Sequence, residues 1–112
     1  YWCTCPKANW YIEKQLPNYD LWRKKNLKIT IGTDSLASND SLCVLEEIKI
    51  IQKNFPHITT NELLIWACKN GAEFFNYDEL GSFKSRSKPG VLLIEHVDGL
   101  QLTEKSKVTV LV

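Results

Sequence analysis

The 112-residue chain has no methionine anywhere, only two histidines, His57 and His96, and only five glycines. It also lacks an excess of charge of one sign, since 14 Lys and Arg stand against 13 Asp and Glu for a net charge of +1. Binding to nucleic acid or to anionic lipid needs clustered cations, and this balance argues against both partners. No run approaches the roughly 18 uninterrupted apolar residues that cross a bilayer. The opening Tyr1-Trp2-Cys3-Thr4-Cys5 lacks the basic and long apolar regions of a signal peptide. These absences predict a soluble, cytoplasmic protein with no nucleic-acid or membrane partner. A polar lead-in is missing too, because the chain opens directly on an apolar, aromatic stretch. That opening predicts a piece cut from something longer.

Cysteines are few, at Cys3, Cys5, Cys43 and Cys68. Cys3 and Cys5 lie closer together than the usual spacing of a zinc-binding pair, and the other two stand alone inside helical patterns. A chain of this size in a reducing compartment needs no staples, so the expectation is free thiols. What is present is ordinary globular composition, 44% hydrophobic and 24% charged.

Residues 1–5 read as a short buried strand closed by Pro6, with Lys7-Ala8-Asn9 as a turn into the aromatic run Trp10-Tyr11-Ile12. Leu21 and Trp22 fall in a short helix that ends in cations suited to its C-terminal dipole. Leu27–Gly32 alternates apolar and polar residues at period two and predicts a strand. The segment Thr33–Ser41 is polar and long for a βα connection, which typically takes about two to six residues. Leu42, Leu45, Ile48 and Ile51 then recur at helical spacing, predicting an amphipathic helix to about Lys53, capped by Asp40 or Ser41. Thr59 with Glu62 carries the capping-box pattern of the next helix, and Asn70-Gly71 its stop or kink. Beyond Tyr77 the period returns to two, predicting strands at Val91–His96 and Val108–Val112.

Asp34 draws attention because it follows the end of a predicted strand, where parallel α/β folds and barrels place their active sites. An aspartate there is equally suited to closing a turn, and position alone leaves both readings open. The hydroxyls of Thr33 and Ser35 either orient that carboxylate or close the turn. His57 and His96 read as structural or exposed, since metal histidines need convergent partners. Trp10, Trp22 and Trp66 read as packing residues.

The stretch Ile31-Gly32-Thr33-Asp34-Ser35-Leu36-Ala37-Ser38-Asn39 is followed by Leu45-Glu46-Glu47, Asn70-Gly71-Ala72, Leu80-Gly81-Ser82 and a Pro89-Gly90 turn into Val91–Ile94. Together, and in this order, they resemble the C-terminal end of the amidohydrolase superfamily. The branch they look most like holds S-adenosylhomocysteine and related adenosine-type deaminases, aminodeoxyfutalosine deaminase and the triazine chlorohydrolases. Cys5-Pro6-Lys7-Ala8-Asn9 is similar to that branch's Cys-Pro-x-x-Asn segment on the seventh barrel strand.

The resemblance implies an α/β chain whose residues 1–76 are the last strands and helices of a metal-dependent hydrolase (β/α)8 barrel. Residues 77–112 would be a β-rich tail belonging to a small composite sandwich. It implies that Asp34 binds or approaches a divalent metal, zinc or else iron, and carries a proton from the attacking water to the leaving group. Asn9 and Asn39 would contact a small-molecule substrate. The family's His-x-His pair and two further histidines lie outside this chain, so the isolated chain is expected to be inactive and not to hold a metal at full occupancy. It is expected to associate with the remainder of its parent chain or with a second copy. The contrasting expectation is a self-standing, non-catalytic α/β interaction module.

Overall fold

The computed structural model describes residues 1–112 and shows a small α/β arrangement. Strands β1 (Trp2–Thr4) and β2 (Ile29–Ile31) pair in parallel, with Trp2 opposite Ile29, Cys3 opposite Thr30 and Thr4 opposite Ile31. Between them run helices α1 (Pro6–Glu13) and α2 (Tyr19–Lys24). After β2 come α3 (Val44–Asn54) and α4 (Thr60–Leu64), then a π-helical segment, Ile65–Lys69, and α5 (Asn70–Phe74). An antiparallel hairpin, β3 (Leu92–Glu95) with β4 (Lys107–Val110), ends the chain.

The period-two pattern sorts the two faces of the parallel pair. Ile29 and Thr4 are buried on the helix side, where Thr4 Oγ1 lies 2.8 Å from the Tyr19 hydroxyl and Trp2 packs on Trp22. Cys3, Cys5, Thr30 and Gly32 take the opposite face. The core is formed by Tyr19, Ile29, Ile48, Ile51, Ile58, Leu63 and Trp66. The sheet has two strands only, so each keeps an unpaired edge. Part of the β2 edge is closed by Asn70, whose Nδ2 donates to the Ile29 carbonyl at 2.7 Å. The tail meets the helices through Leu102, whose N–H donates to the buried Gln52 side chain at 2.9 Å.

Three local expectations are corrected. Lys7-Ala8-Asn9 is no turn but the first part of α1, because Pro6 at the helix start has its φ already set and needs no N–H partner there. Asn70-Gly71 does not stop the helical run, which continues from Thr60 to Phe74. The Asn70 side chain is spent on β2, and the left-handed residue after the last turn is Asn76, with φ 59°. Helix α3 starts at Val44 after Cys43, which makes no side-chain cap. Asp40 is instead paired with the Lys7 ammonium.

The Thr59 pattern is present in half: its Oγ1 accepts the Glu62 N–H at 3.2 Å. The Glu62 carboxylate turns away to a two-pronged pairing with Arg23 at 2.8 and 3.0 Å. Replacing Thr59 with alanine orphans that N–H and is expected to cost about 0.5–2 kcal/mol, read as a lower urea midpoint with unchanged slope.

Candidate functional site

The parallel pair places the C-terminal ends of β1 and β2 side by side, and the loop after β2 rises from this rim. Asp34, three residues past Ile31, is exposed and holds a left-handed backbone with φ 56°. Few residues with a Cβ adopt that conformation, aspartate and asparagine more readily than most because their short polar side chains bond locally. Its carboxylate has one hydroxyl partner, Ser38, whose Oγ donates to Oδ2 at 2.6 Å. The sequence reading carries Ser38 in the resembling stretch without a role; the signal for one is the four-residue spacing that folds a turn back onto Asp34.

The other expected residues sit as follows. Ser35 closes the turn, with its hydroxyl accepting the Ala37 N–H at 3.3 Å and its carbonyl accepting the Ser38 N–H at 3.1 Å. Thr33 takes part through its carbonyl, which accepts from Asn39 Nδ2 at 2.8 Å. Asn39 is buried and its amide is fully engaged inside the loop, donating to Thr33 and Glu47 and accepting the Ser41 N–H at 3.3 Å. Asn9 lies in the first turn of α1, its Oδ1 accepting from Thr4 Oγ1 at 3.4 Å. A shallow depression between this loop and α1 is lined by Lys7, Trp10, Tyr11, Leu36 and Ser38, and Asp34 is not part of it.

Beneath the loop is a charge to which the sequence reading gives no role. Glu47 of α3 is 0% exposed, accepting the Lys7 backbone N–H at 2.7 Å and the Asn39 amide. Burial pushes its carboxyl above the ordinary value, against the pull of those two donors. The available signal was its place on the buried stripe of α3, four residues from Ile51 and next to Ile48.

On the open face, the Cys3 and Cys5 thiols converge on Gly32, where a Cβ would come within 3.3 and 3.2 Å of their sulfurs. All four cysteines are free. Burial and the neighbouring Cys3 push the Cys5 thiol up to about 11 from 9.0. That shift lowers its thiolate fraction about a hundredfold below both values, so Cys5 is expected to resist iodoacetamide at mildly alkaline pH. Peptide mass spectrometry of the native protein, with the denatured protein as reference, reads this directly.

Both histidines lie away from the rim. His57 Nε2 meets the Asp20 carboxylate at 2.7 Å, and His96 precedes the tail turn with a left-handed backbone. No three His, Cys, Asp or Glu side chains converge to hold a metal ion. The residues of this chain therefore do not make a metal centre by themselves; at the rim they offer Asp34 as a single carboxylate donor. No helix is long and apolar enough to cross a membrane.

Against known proteins, the model of the amidohydrolase family matches residues 1–106. The chain is 33% identical over 96 residues to a 5-methylthioadenosine/S-adenosylhomocysteine deaminase of Dictyoglomus turgidum, covering 80% of this chain and 22% of that protein. It is 26% identical over 97 residues to the protein of the same name from Dictyoglomus thermophilum, covering 80% and 23%. An aminodeoxyfutalosine deaminase of Deinococcus radiodurans is 29% identical over 68 residues, 61% of this chain and 16% of that protein. The chain thus spans less than a quarter of the length of these relatives. No solved structure matches it significantly.

Proposed function

The chain belongs to the amidohydrolase family, and from that premise we propose that it is the C-terminal portion of a metal-dependent hydrolase that deaminates an amino-purine-like or related heterocycle. The relatives named as deaminases support this reaction class and a small-molecule substrate. In this reading residues 1–76 complete a (β/α)8 barrel and residues 77–112 join a composite sandwich. The open edges of β1 and β2 are then strand-pairing sites for the rest of the barrel.

The observation that carries the reading is the placement of Asp34. It stands just past the C-terminal ends of two parallel strands, exposed, with its carboxylate held by one short hydrogen bond from Ser38. A carboxylate so placed can accept a proton from an attacking water as the carbon–oxygen bond forms, then donate it to the departing amine as the carbon–nitrogen bond breaks. The products are ammonia and the ring carbonyl compound. Thr33 and Ser35 shape the turn that presents Asp34, and Asn9 and Asn39 lie at the same rim. A divalent metal, zinc or else iron, belongs to the complete enzyme; this chain contributes no more than Asp34 to its donor set.

The test is an assay of ammonia release by the full-length, metal-loaded protein against a panel of amino-purine nucleosides and aminotriazines. Release from a purine amine supports the proposal. A folded, metal-loaded protein that releases ammonia from none of them contradicts it.

A further inference from the structure

Helix α1 starts without a cap of its own: Cys5 makes no side-chain cap, and no acidic residue stands in the first turn. Such a start leaves N–H groups orphaned and the positive end of the helix dipole uncompensated. The missing acceptor comes from a different helix. Glu47 of α3 turns Oε2 to the Lys7 backbone N–H at 2.7 Å. Its Oε1 accepts from Asn39 Nδ2, and the same amide donates to the Thr33 carbonyl, on the peptide that leads into Asp34. On the outside, the Lys7 ammonium pairs with Asp40 and reaches Ser41 Oγ at 3.5 Å, closing the same seam.

We infer that Glu47 is a positioning residue: with Asn39 it forms a buried strut that ties the Thr33–Asp34 backbone to the start of α1 and so holds Asp34 in its left-handed conformation at the rim. A fully buried carboxylate is costly unless each oxygen is matched by a donor, and here two donors from two separate segments meet two oxygens. Glutamine has the same shape but would turn an N–H toward one of those donors. The strut therefore requires the carboxylate. This role rests on the reading of Asp34 as the proton-moving group, and the experiment separates the two.

Hydrogen exchange by mass spectrometry on the intact protein at neutral pH compares wild type with Glu47→Gln and Asn39→Ala, and with Ile58→Val as a core control. Both strut variants are expected to speed exchange by about tenfold or more across residues 33–41 and the first turn of α1, with β3 and β4 unchanged. Ile58→Val is expected to show no such loop-selective change. Glu47→Gln is further expected to lower kcat with KM held. Loop exchange within about twofold of wild type in the variants, or a rise shared evenly by the whole chain, overturns the strut. Should Glu47→Gln fail to fold, Asn39→Ala carries the test alone. A loosened loop together with an Asp34→Asn variant of unchanged turnover upholds the strut and removes the catalytic reading instead.

Discussion

Asp34→Asn in the full-length enzyme is expected to lower kcat for deamination by roughly 10²–10⁴-fold, with KM changed little. Asparagine keeps the size of the side chain and an oxygen able to accept from Ser38, which donates to Oδ2 at 2.6 Å. It also tolerates the left-handed backbone that Asp34 adopts at φ 56°. The loop should therefore stay in place while the ability to take up and release a proton is lost. That separation makes the variant informative: a fall in kcat without a fall in the thermal midpoint assigns the effect to chemistry. A variant that turns over at the wild-type rate would place Asp34 among turn-closing aspartates.

The second large effect is on stability. Tyr19→Ala is expected to cost about 3–5 kcal/mol, as for other large aromatic truncations in a core. Tyr19 is 0% exposed, and its ring lies 5.6 Å from Trp22, 5.1 Å from Phe55 and 5.9 Å from Trp66 between centroids. Its hydroxyl, 2.8 Å from Thr4 Oγ1, ties the helix layer to β1. One residue thus joins α2, the α3–α4 corner, the π segment and the sheet. Total stabilities of small domains run to about 5–15 kcal/mol, so this loss is a large share of the whole. Tyr19→Phe keeps the ring and should cost only about 1 kcal/mol, the net value of one hydrogen bond. Denaturant melts of both variants check the pair of values, and an alanine variant no weaker than the phenylalanine one would contradict the central place given to the ring.

Two elements were legible in the sequence because one face is buried and the other is not. β2 carries period two and α3 carries its apolar step, because in each the solvent writes the contrast into the residue types; the tail strands β3 and β4 are almost wholly exposed and show no such contrast of burial. Helix α1 was illegible for the opposite reason: Trp10, Tyr11 and Ile12 are consecutive and exposed, so no stripe marks it. The run through Asn70-Gly71 was missed because a side chain's commitment to a distant carbonyl overrides a local stop signal. At the candidate site, Asp34 was legible from its place after a strand and from the resemblance of Gly32-Thr33-Asp34-Ser35. The role of Glu47 was not, since its partners, the Lys7 N–H and the Asn39 amide, meet only when the loop closes on α1; that of Ser38 rests on a local four-residue spacing to Asp34.

The central step is delivery of a proton by Asp34 to a leaving amine, and a change of leaving group tests that step most directly. Chloride departs without protonation, whereas an amine does not, so the two substrates divide the duties of the carboxylate. The measurement is kcat/KM of wild type and Asp34→Asn on a purine nucleoside bearing an amino group and on the same nucleoside bearing chlorine at that carbon. The account predicts a loss at least about tenfold larger for the amine than for the chloride. Equal losses on both substrates, or none on either, would contradict it.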